Sequence, residues 1–305
     1  MSAALALIIG ALVVAWLAPT LLEAAVDRVR DPIAVLLAWW VTLAAVPATL
    51  AVGVAFLLTP DTGVEDWARN LMHHCWFALQ HGRLPAAGEI VGIVGVAALG
   101  ASIARALLTV RRRMRAQRET QQAHLDLLTL LGGTAPTREA VLRIPHPAPL
   151  AYSLGGRQAM IIVSDGVLQL PPQQREAVLC HERAHVNGRH HLIVAAAEVL
   201  AAAAPWVPLA RRSPRAIQLL VELRADDKTV RVCGAPAVRD ALIALGGMPQ
   251  PAHALPMAGS NLAVRLGRLQ DGGVHHPRMG RAVLPLMAAA APAVVAAVVA
   301  VTICV

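Results

Sequence analysis

The stretch HERAHVNGRHH, which runs from His181 to His191, decides how the rest of the chain is interpreted. Its first five residues match the pattern HExxH, in which two histidines one helical turn apart face the same side of a helix. Two such imidazoles can bind one zinc ion, and the glutamate between them lies near enough to take a proton from water. The sequence therefore predicts a zinc site with His181 and His185 as ligands and Glu182 as general base.

The residues ahead of this pattern predict the structure that carries it. A Gly-Gly pair at 155–156 suits a tight hairpin turn, and residues 159–163 form a short β-rich run. A Pro-Pro pair at 171–172 marks a helix start, since proline fits the first turn of a helix. We expect a hairpin, a short strand at 159–163 that can pair with an extended substrate, and then the metal-binding helix.

A catalytic zinc site needs a third protein ligand and an open position for water. His191 is one candidate, because the longer pattern HExxHxxGxxH is also present and Gly188 would permit the chain to turn back. The apolar run after His191 instead favours a helix that continues. Six helical residues then separate His191 from His185 by about 9 Å, which is too far for both rings to bind one ion.

The other candidate for the third ligand is Glu222 in the stretch VELRADDKTV. Glu222 and Asp226 are four residues apart and share one face of a predicted helix. Glu222 can then reach the metal, while Asp226 accepts a hydrogen bond from the outer nitrogen of a zinc-bound histidine and fixes its tautomer. The sequence favours Glu222 over His191, and Glu198, which lies in the apolar run, is not favoured.

The composition indicates a membrane protein. Hydrophobic residues make up 56% of the 305 residues and charged residues only 15%, which leaves too little polar surface for a soluble domain. Four apolar stretches approach the roughly 20 residues needed to cross a bilayer. They lie at about 3–18, 33–58, 90–110 and 283–305. We expect a mainly α, polytopic membrane protein with four transmembrane helices.

The orientation follows from the arginine-rich run RRRMRAQR at 111–118, directly after the third stretch. Such a cluster marks the cytoplasmic end of a membrane helix. Residues 1–110 are therefore predicted to hold three transmembrane helices, 111–282 a cytoplasmic zinc metalloprotease domain, and 283–305 the fourth helix. Both termini then lie outside, in a multi-pass protein of the plasma membrane.

The apolar segment 192–210 is predicted to lie against the membrane. His185 precedes it and Glu222 follows it, and both must reach one ion, so the chain between them is too short for two crossings. The net charge of +8 fits the same location. Aromatic residues are only 3%, too few for stacking on bases, so we expect the lipid bilayer as a partner and no direct contact with nucleic acid.

The order of these motifs resembles the M56 family of antibiotic-sensing membrane metallopeptidases, which is related to the M48 group. The likeness is strongest from Pro145 to Asp227, a range that holds the hairpin, HERAH and ELRAD at 222–226. It implies an inserted cytoplasmic α+β domain of the zincin (gluzincin) class, one Zn²⁺ per chain, the ligands His181, His185 and Glu222, the base Glu182 and the outer aspartate Asp226. Relatives often have aspartate where this chain has His190, and the chain ends at Val305 without an external penicillin-binding sensor domain.

The resulting hypothesis is a membrane zinc metalloendopeptidase that acts in signal transduction. The resemblance implies a DNA-binding repressor as its protein substrate, and self-cleavage is a second outcome. The alternative is a non-catalytic transducer in which zinc only stabilises the helices, although such a site has no need of Glu182. The sequence does not single out an oxyanion-binding group among His253, His275, His276 and Arg231, and it does not fix the oligomeric state.

Overall fold

The computed structural model describes residues 2–28, 31–58, 87–130, 140–155, 159–246, 255–256, 261–270, 285–295 and 297. Within these ranges the chain is mainly helical and contains one small sheet. The helices are α1 (Ser2–Arg28), α2 (Pro32–Leu58), α3 (Ala87–Leu130), α4 (Asp165–Leu168), α5 (Pro172–Asn187), α6 (His190–Ala203), α7 (Pro208–Cys233), α8 (Ala235–Leu245), α9 (Leu262–Gln270) and α10 (Pro285–Val295). The strands are β1 (Ala140–Ile144), β2 (Ala151–Leu154), β3 (Met160–Ser164) and β4 (Leu255–Pro256).

The four strands form one mixed sheet in the order β1-β3-β2-β4. β3 pairs parallel with β1 and antiparallel with β2, and it corresponds to the strand predicted at 159–163. The expectation that this strand pairs with a substrate is wrong, because neighbouring strands occupy both of its hydrogen-bonding edges. The short β4 pairs with the outer edge of β2 at Tyr152 and Ser153.

Two of the three apolar clusters among the described residues position the site, and the third packs the other face of β2 and β3 with β1. The membrane-side cluster joins α1 and α2 to α6 and α7, with Leu22, Trp39, Val194, Ile217 and Leu220 among its buried members. The sheet-side cluster joins β2, β3, α5 and α8, and the apolar side of α9 packs against it. Helix α5 contributes to the sheet-side cluster and helix α7 to the membrane-side cluster. The facing sides of α5 and α7 therefore meet at the junction of the two clusters.

Helices α1 and α2 contain the two candidate membrane spans in the described part of the chain. These spans are Ala6–Val26 and Pro32–Val54, each with a mean hydropathy of 2.0. They overlap the first two predicted crossings. The third predicted crossing, 90–110, lies in α3, which does not end at Val110 but continues through the arginine-rich run to Leu130. The crossings assigned to α3 and to the region of α10 remain predictions.

The prediction that one helix continues through His191 is wrong. Helix α5 ends at Asn187, and α6 begins at His190 in a new direction. The break occurs at Arg189, whose φ of 48° and ψ of 39° place it in the left-handed region. A helix cannot pass through this conformation, because its ladder of hydrogen bonds requires negative φ at every residue. The apolar composition of α6 therefore marks a separate helix and not an extension of α5.

Candidate metal centre

The two histidines of HExxH lie on the buried side of α5. The helix begins at Pro172, where a missing amide donor has no cost, and its inward face carries Ala177 and Val178. The same face carries His181 and His185, which are 0% and 1% exposed. Their Nε2 atoms are 3.0 Å apart. Burial of the apolar residues thus fixes the rotation of α5 and directs both rings toward α7.

Helix α7 places Glu222 opposite these rings. One carboxylate oxygen, Oε2, is 3.3 Å from Nε2 of His181, and the other, Oε1, is 3.3 Å from Nε2 of His185. One ligand atom from each of the three residues lies within 4.8 Å of the others. The structure therefore brings together the three residues that the sequence predicted as ligands, all three of them buried.

Each of these two histidines is also contacted at its other ring nitrogen, Nδ1. Nδ1 of His181 lies 3.1 Å from Oδ1 of Asp226, one turn beyond Glu222 on α7. Because a carboxylate only accepts hydrogen bonds, Nδ1 keeps its proton and Nε2 is the nitrogen that can bind a metal. Nδ1 of His185 lies 2.8 Å from Nδ1 of His190. When His185 donates in this pair, its Nε2 lone pair likewise faces the centre.

His190 reaches this position because of the break between α5 and α6. The left-handed Arg189 turns the chain back, so that the first residue of α6 lies against the last turn of α5. A Cβ at Gly188 would overlap the imidazole of His190, so glycine is required for this close approach. Burial, with the charge of His185, lowers the pKa of His190 to about 2, which leaves His190 neutral. This contact was not predicted from the sequence.

Arg265 is a second residue of the site that was not predicted from the sequence. It belongs to α9 and is 1% exposed. Its Nε and Nη2 donate to the two oxygens of Asp226 at 2.7 and 2.6 Å, and its Nη1 lies 3.1 Å from Oε2 of Glu222. One guanidinium thus fixes two of the acidic residues of α7, Glu222 and Asp226. The sequence did contain a signal that Arg265 faces the interior. Arg265 interrupts the apolar stripe formed by Leu262, Leu266 and Leu269, which packs against the sheet-side cluster.

Glu182 points into the same centre without being one of the three clustered ligands. It is completely buried, and the Ser153 hydroxyl of β2 interacts with its carboxylate. Among the described residues, neither oxygen of Glu182 has a hydrogen-bond partner of normal geometry. Burial raises the pKa of Glu182, and the neighbouring His185 and His181 oppose that shift. A buried carboxylate with a raised pKa and no fixed partner is suited to accept and release a proton.

The charges around the centre stabilise a cation. Burial alone would lower the pKa of His181, but the carboxylates of Asp226 and Glu222 outweigh it and raise the pKa to about 9. Burial alone would raise the pKa of Glu222, but His185 and Arg265 outweigh it and hold the pKa below its usual range. Before a metal binds, the site therefore holds a proton on an imidazole between ionised carboxylates, and a metal ion would replace that positive charge.

The remaining candidate residues lie elsewhere. The ring of His191 packs on Gly155 at the end of β2, where a Cβ would overlap it, so His191 is not in the cluster. Glu198 forms an ion pair with Arg113 of α3. Arg231 is exposed on the last turn of α7. The other proposed oxyanion-binding residues, His253, His275 and His276, lie outside the described residues.

Two buried histidines on one helix, a glutamate from a later helix and an adjacent mixed sheet form an arrangement that is compatible with a metallopeptidase. The sequence model of Peptidase family M48 matches residues 114–214. This range is about a third of the chain and includes α5 and α6. It ends before Glu222. No relative of curated function matches the chain. The family match and the His/His/Glu cluster together support a metallopeptidase.

Proposed function

We propose that this chain is a zinc metalloendopeptidase that hydrolyses peptide bonds at the cytoplasmic face of the plasma membrane. The observation that carries the proposal is the convergence of His181, His185 and Glu222 beside the fully buried carboxylate of Glu182. A purely structural metal site would not require a buried carboxylate at that position. The M48 match supports the peptidase class, and the resemblance to the M56 family supports the finer assignment.

The ligand atoms fit zinc in type and in spacing. Zinc is bound by histidine nitrogen and carboxylate oxygen at about 2.0–2.2 Å, so two ligands of a tetrahedral site lie about 3.3 Å apart. The observed separations are 3.0 Å between the two Nε2 atoms and 3.3 Å from each Nε2 to a Glu222 oxygen. The contacts at the outer nitrogens are those that hold zinc-binding histidines in one tautomer. His181, His185 and Glu222 would therefore hold one ion per chain.

When bound, zinc would act as a Lewis acid that polarises the scissile carbonyl and acidifies the attacking water. Glu182 takes the proton from that water and passes it to the leaving amine, which its raised pKa favours. Asp226 and His190 keep the two ligand rings oriented. Arg265 holds Glu222 and Asp226 in place throughout, because its guanidinium contacts both.

The outer edge of β2 is where we place an extended substrate. β2 lies next to α5, and Ser153 of β2 interacts with Glu182, so a peptide paired along β2 would pass the catalytic carboxylate. Its backbone would form antiparallel hydrogen bonds of the kind that β4 makes with Tyr152 and Ser153. A substrate in this position would displace or extend β4.

The membrane location and the role in signalling are further parts of the proposal. Two helices long and apolar enough to cross a membrane pack directly against α7, which carries Glu222. The resemblance to the M56 family supports cleavage of a DNA-binding repressor, of the chain itself, or of both. A proteomic comparison of cells that carry the wild type or Glu182→Gln would identify the substrate as a protein that accumulates only in the variant.

The test of catalysis compares Glu182→Gln with Glu176→Gln, the same change at an exposed position of the same helix. Purified full-length proteins are assayed for zinc content and for cleavage of casein. We expect one zinc per chain in all three proteins, and a loss of cleavage of about 100-fold or more only in Glu182→Gln. Cleavage by Glu182→Gln at the wild-type rate would contradict the mechanism, and intact signalling by that variant would support the non-catalytic transducer.

A further inference from the structure

Helices α6 and α7 form a hairpin with two different sides. One side is buried in the membrane-side cluster against α1 and α2. The other side exposes an apolar stripe on α6, Leu192 and Leu200, which are 53% and 37% exposed. At the turn between the helices, Trp206 is 58% exposed. Uncovered leucines and a tryptophan at a hairpin tip are typical of a surface that contacts the bilayer interface.

A contact with α3 shows how far the tip of the hairpin lies from the end of the apolar stretch of α3. Nε of Arg105 donates to the carbonyl oxygen of Ala202 at 2.8 Å, near the end of α6. Arg105 lies five residues before Val110, where the apolar stretch of α3 ends and the arginine-rich run begins. Five residues of helix correspond to about 8 Å. The end of α6 therefore lies about one and a half turns inside the apolar part of α3.

An independent contact with α1 gives a consistent depth. Nη1 of Arg212 lies 3.5 Å from Oε2 of Glu23. Glu23 is three residues before Val26, the end of the candidate span in α1, which corresponds to about 5 Å inside that end. Trp206 precedes Arg212 along the chain and lies nearer the tip. Both contacts therefore place the tip of the hairpin inside the apolar region that the ends of α1 and α3 mark.

Two exposed arginines lie near the start of α7, close to that boundary. Arg211 and Arg215 are one helical turn apart on the exposed side of α7, next to Arg212. On α3, the exposed Arg111 and Arg112 directly follow Val110, where the apolar stretch ends. Guanidinium groups bind phosphate oxygens well, and basic residues at a membrane surface attract anionic lipids.

We propose that the turn between α6 and α7 inserts into the cytoplasmic leaflet, and that Arg211 and Arg215 bind the phosphates of anionic phospholipids. The proposal rests on the membrane location proposed above, but not on catalysis. The insertion fixes the distance of the metal centre from the lipid. His190, beside the metal ligands, is 13 residues before the end of α6 at Ala203, or about 20 Å along the helix. With about 8 Å inserted, the centre stands about 12 Å above the hydrocarbon.

Tryptophan fluorescence in reconstituted full-length protein tests the insertion. The Glu182→Gln background avoids self-cleavage, and the vesicles contain lipids brominated either near the glycerol end or near the methyl end of the acyl chain. Trp206→Phe should remove a component quenched by the bromine near the glycerol end. Trp16→Phe, on the exposed middle of α1, should remove a component quenched by the deeper bromine. Quenching of Trp16 without quenching of Trp206 overturns the insertion, whereas no quenching of either overturns the membrane location itself.

Lipid retention tests the role of the arginines. Protein purified from equal mixtures of phosphatidylglycerol and phosphatidylcholine is analysed for the ratio of the two retained lipids. Replacing Arg211 and Arg215 with Gln should lower that ratio about fivefold or more. The matched control replaces Arg231 and Arg239, exposed at the far end of α7 and on α8, and should leave the ratio unchanged. An equal ratio in the two double variants overturns the proposal of phosphate binding.

Discussion

Nη1 of Arg265 lies 3.1 Å from Oε2 of Glu222, although the two residues are 43 positions apart and belong to different helices. The same guanidinium donates to both oxygens of Asp226. One positive charge on α9 therefore holds two carboxylates of α7, of which one is a candidate metal ligand and the other contacts a ligand histidine. Helix α9 thus determines the geometry of the centre although it contributes no ligand.

Replacing Arg265 with Gln should therefore damage both stability and metal binding. Breaking a buried ion pair by removing one partner costs about 3–5 kcal/mol, since the carboxylates stay buried without a countercharge. We expect a loss of that size in urea denaturation, and zinc affinity reduced by about 10–100-fold. The control is Arg268→Gln on the same helix, whose 3.7 Å contact with Asp227 is partly exposed. An equal loss in both variants would show that the position of Arg265 has no special role.

Removal of Glu222 tests the choice between the two third ligands. Glu222→Ala should leave less than about a tenth of the zinc bound per chain, because two histidines alone do not complete the site. His191→Ala should keep about one zinc per chain, since the ring of His191 packs on Gly155 and not in the cluster. Metal analysis of the purified variants decides the matter. Loss of zinc in His191→Ala with retention in Glu222→Ala would favour the longer motif HExxHxxGxxH.

Reporter fusions test the predicted topology with four crossings. A reporter joined at Gln121, on the extension of α3, should report the cytoplasm, and one joined after Val305 should report the outside. The reason is the arginine-rich run that follows Val110, since such runs stay on the cytoplasmic side. Reporters on the same side of the membrane would rule out an odd number of crossings between the two points.

Features set by residues close in the chain were accessible from the sequence. The start of α5 follows from Pro171 and Pro172, and the shared face of His181 and His185 follows from their spacing. Glu222 could be predicted because its spacing from Asp226 repeats the same logic on a second helix. The structure places Glu222 and Asp226 against the two histidines, although the roles of these residues remain predictions until metal binding is measured.

Features set by tertiary contacts were not accessible. Nothing in the sequence marks Arg189 as the residue that adopts a left-handed conformation, because glycine stands one position earlier and is the usual choice. The interior position of β3 depends on its pairing with β1, about 20 residues away. Arg265 reaches the centre only because α9 packs on the sheet-side cluster. Each of these depends on segments that meet only in the folded chain.

The raised pKa of His181 predicts how the metal-free protein responds to pH. The folded pKa is about 9 and the ordinary value is 6.5, so folding favours the protonated ring. The resulting stabilisation, on the order of 3 kcal/mol, is complete below about pH 6.5 and is lost as the pH rises through about 9. Urea denaturation in the presence of a chelator should show this decline. Asp226→Asn should flatten it, because the carboxylate of Asp226 contributes to the raised pKa; an unchanged slope would exclude His181 as the source.

His190 provides the most specific test of the way in which the centre is oriented. His190→Ala removes the acceptor for Nδ1 of His185, which is 2.8 Å away, and leaves a buried donor without a partner. We expect zinc affinity to fall by about 10–100-fold, which is the typical loss when the outer hydrogen-bond partner of a metal-binding histidine is removed. His190→Asp supplies a carboxylate acceptor and should restore zinc affinity to the wild-type level or above, because a carboxylate makes the ligand ring more basic. Competition with a chromophoric chelator measures both variants. If His190→Ala binds zinc as tightly as the wild type, or if His190→Asp fails to recover while the protein remains folded, His190 does not orient His185.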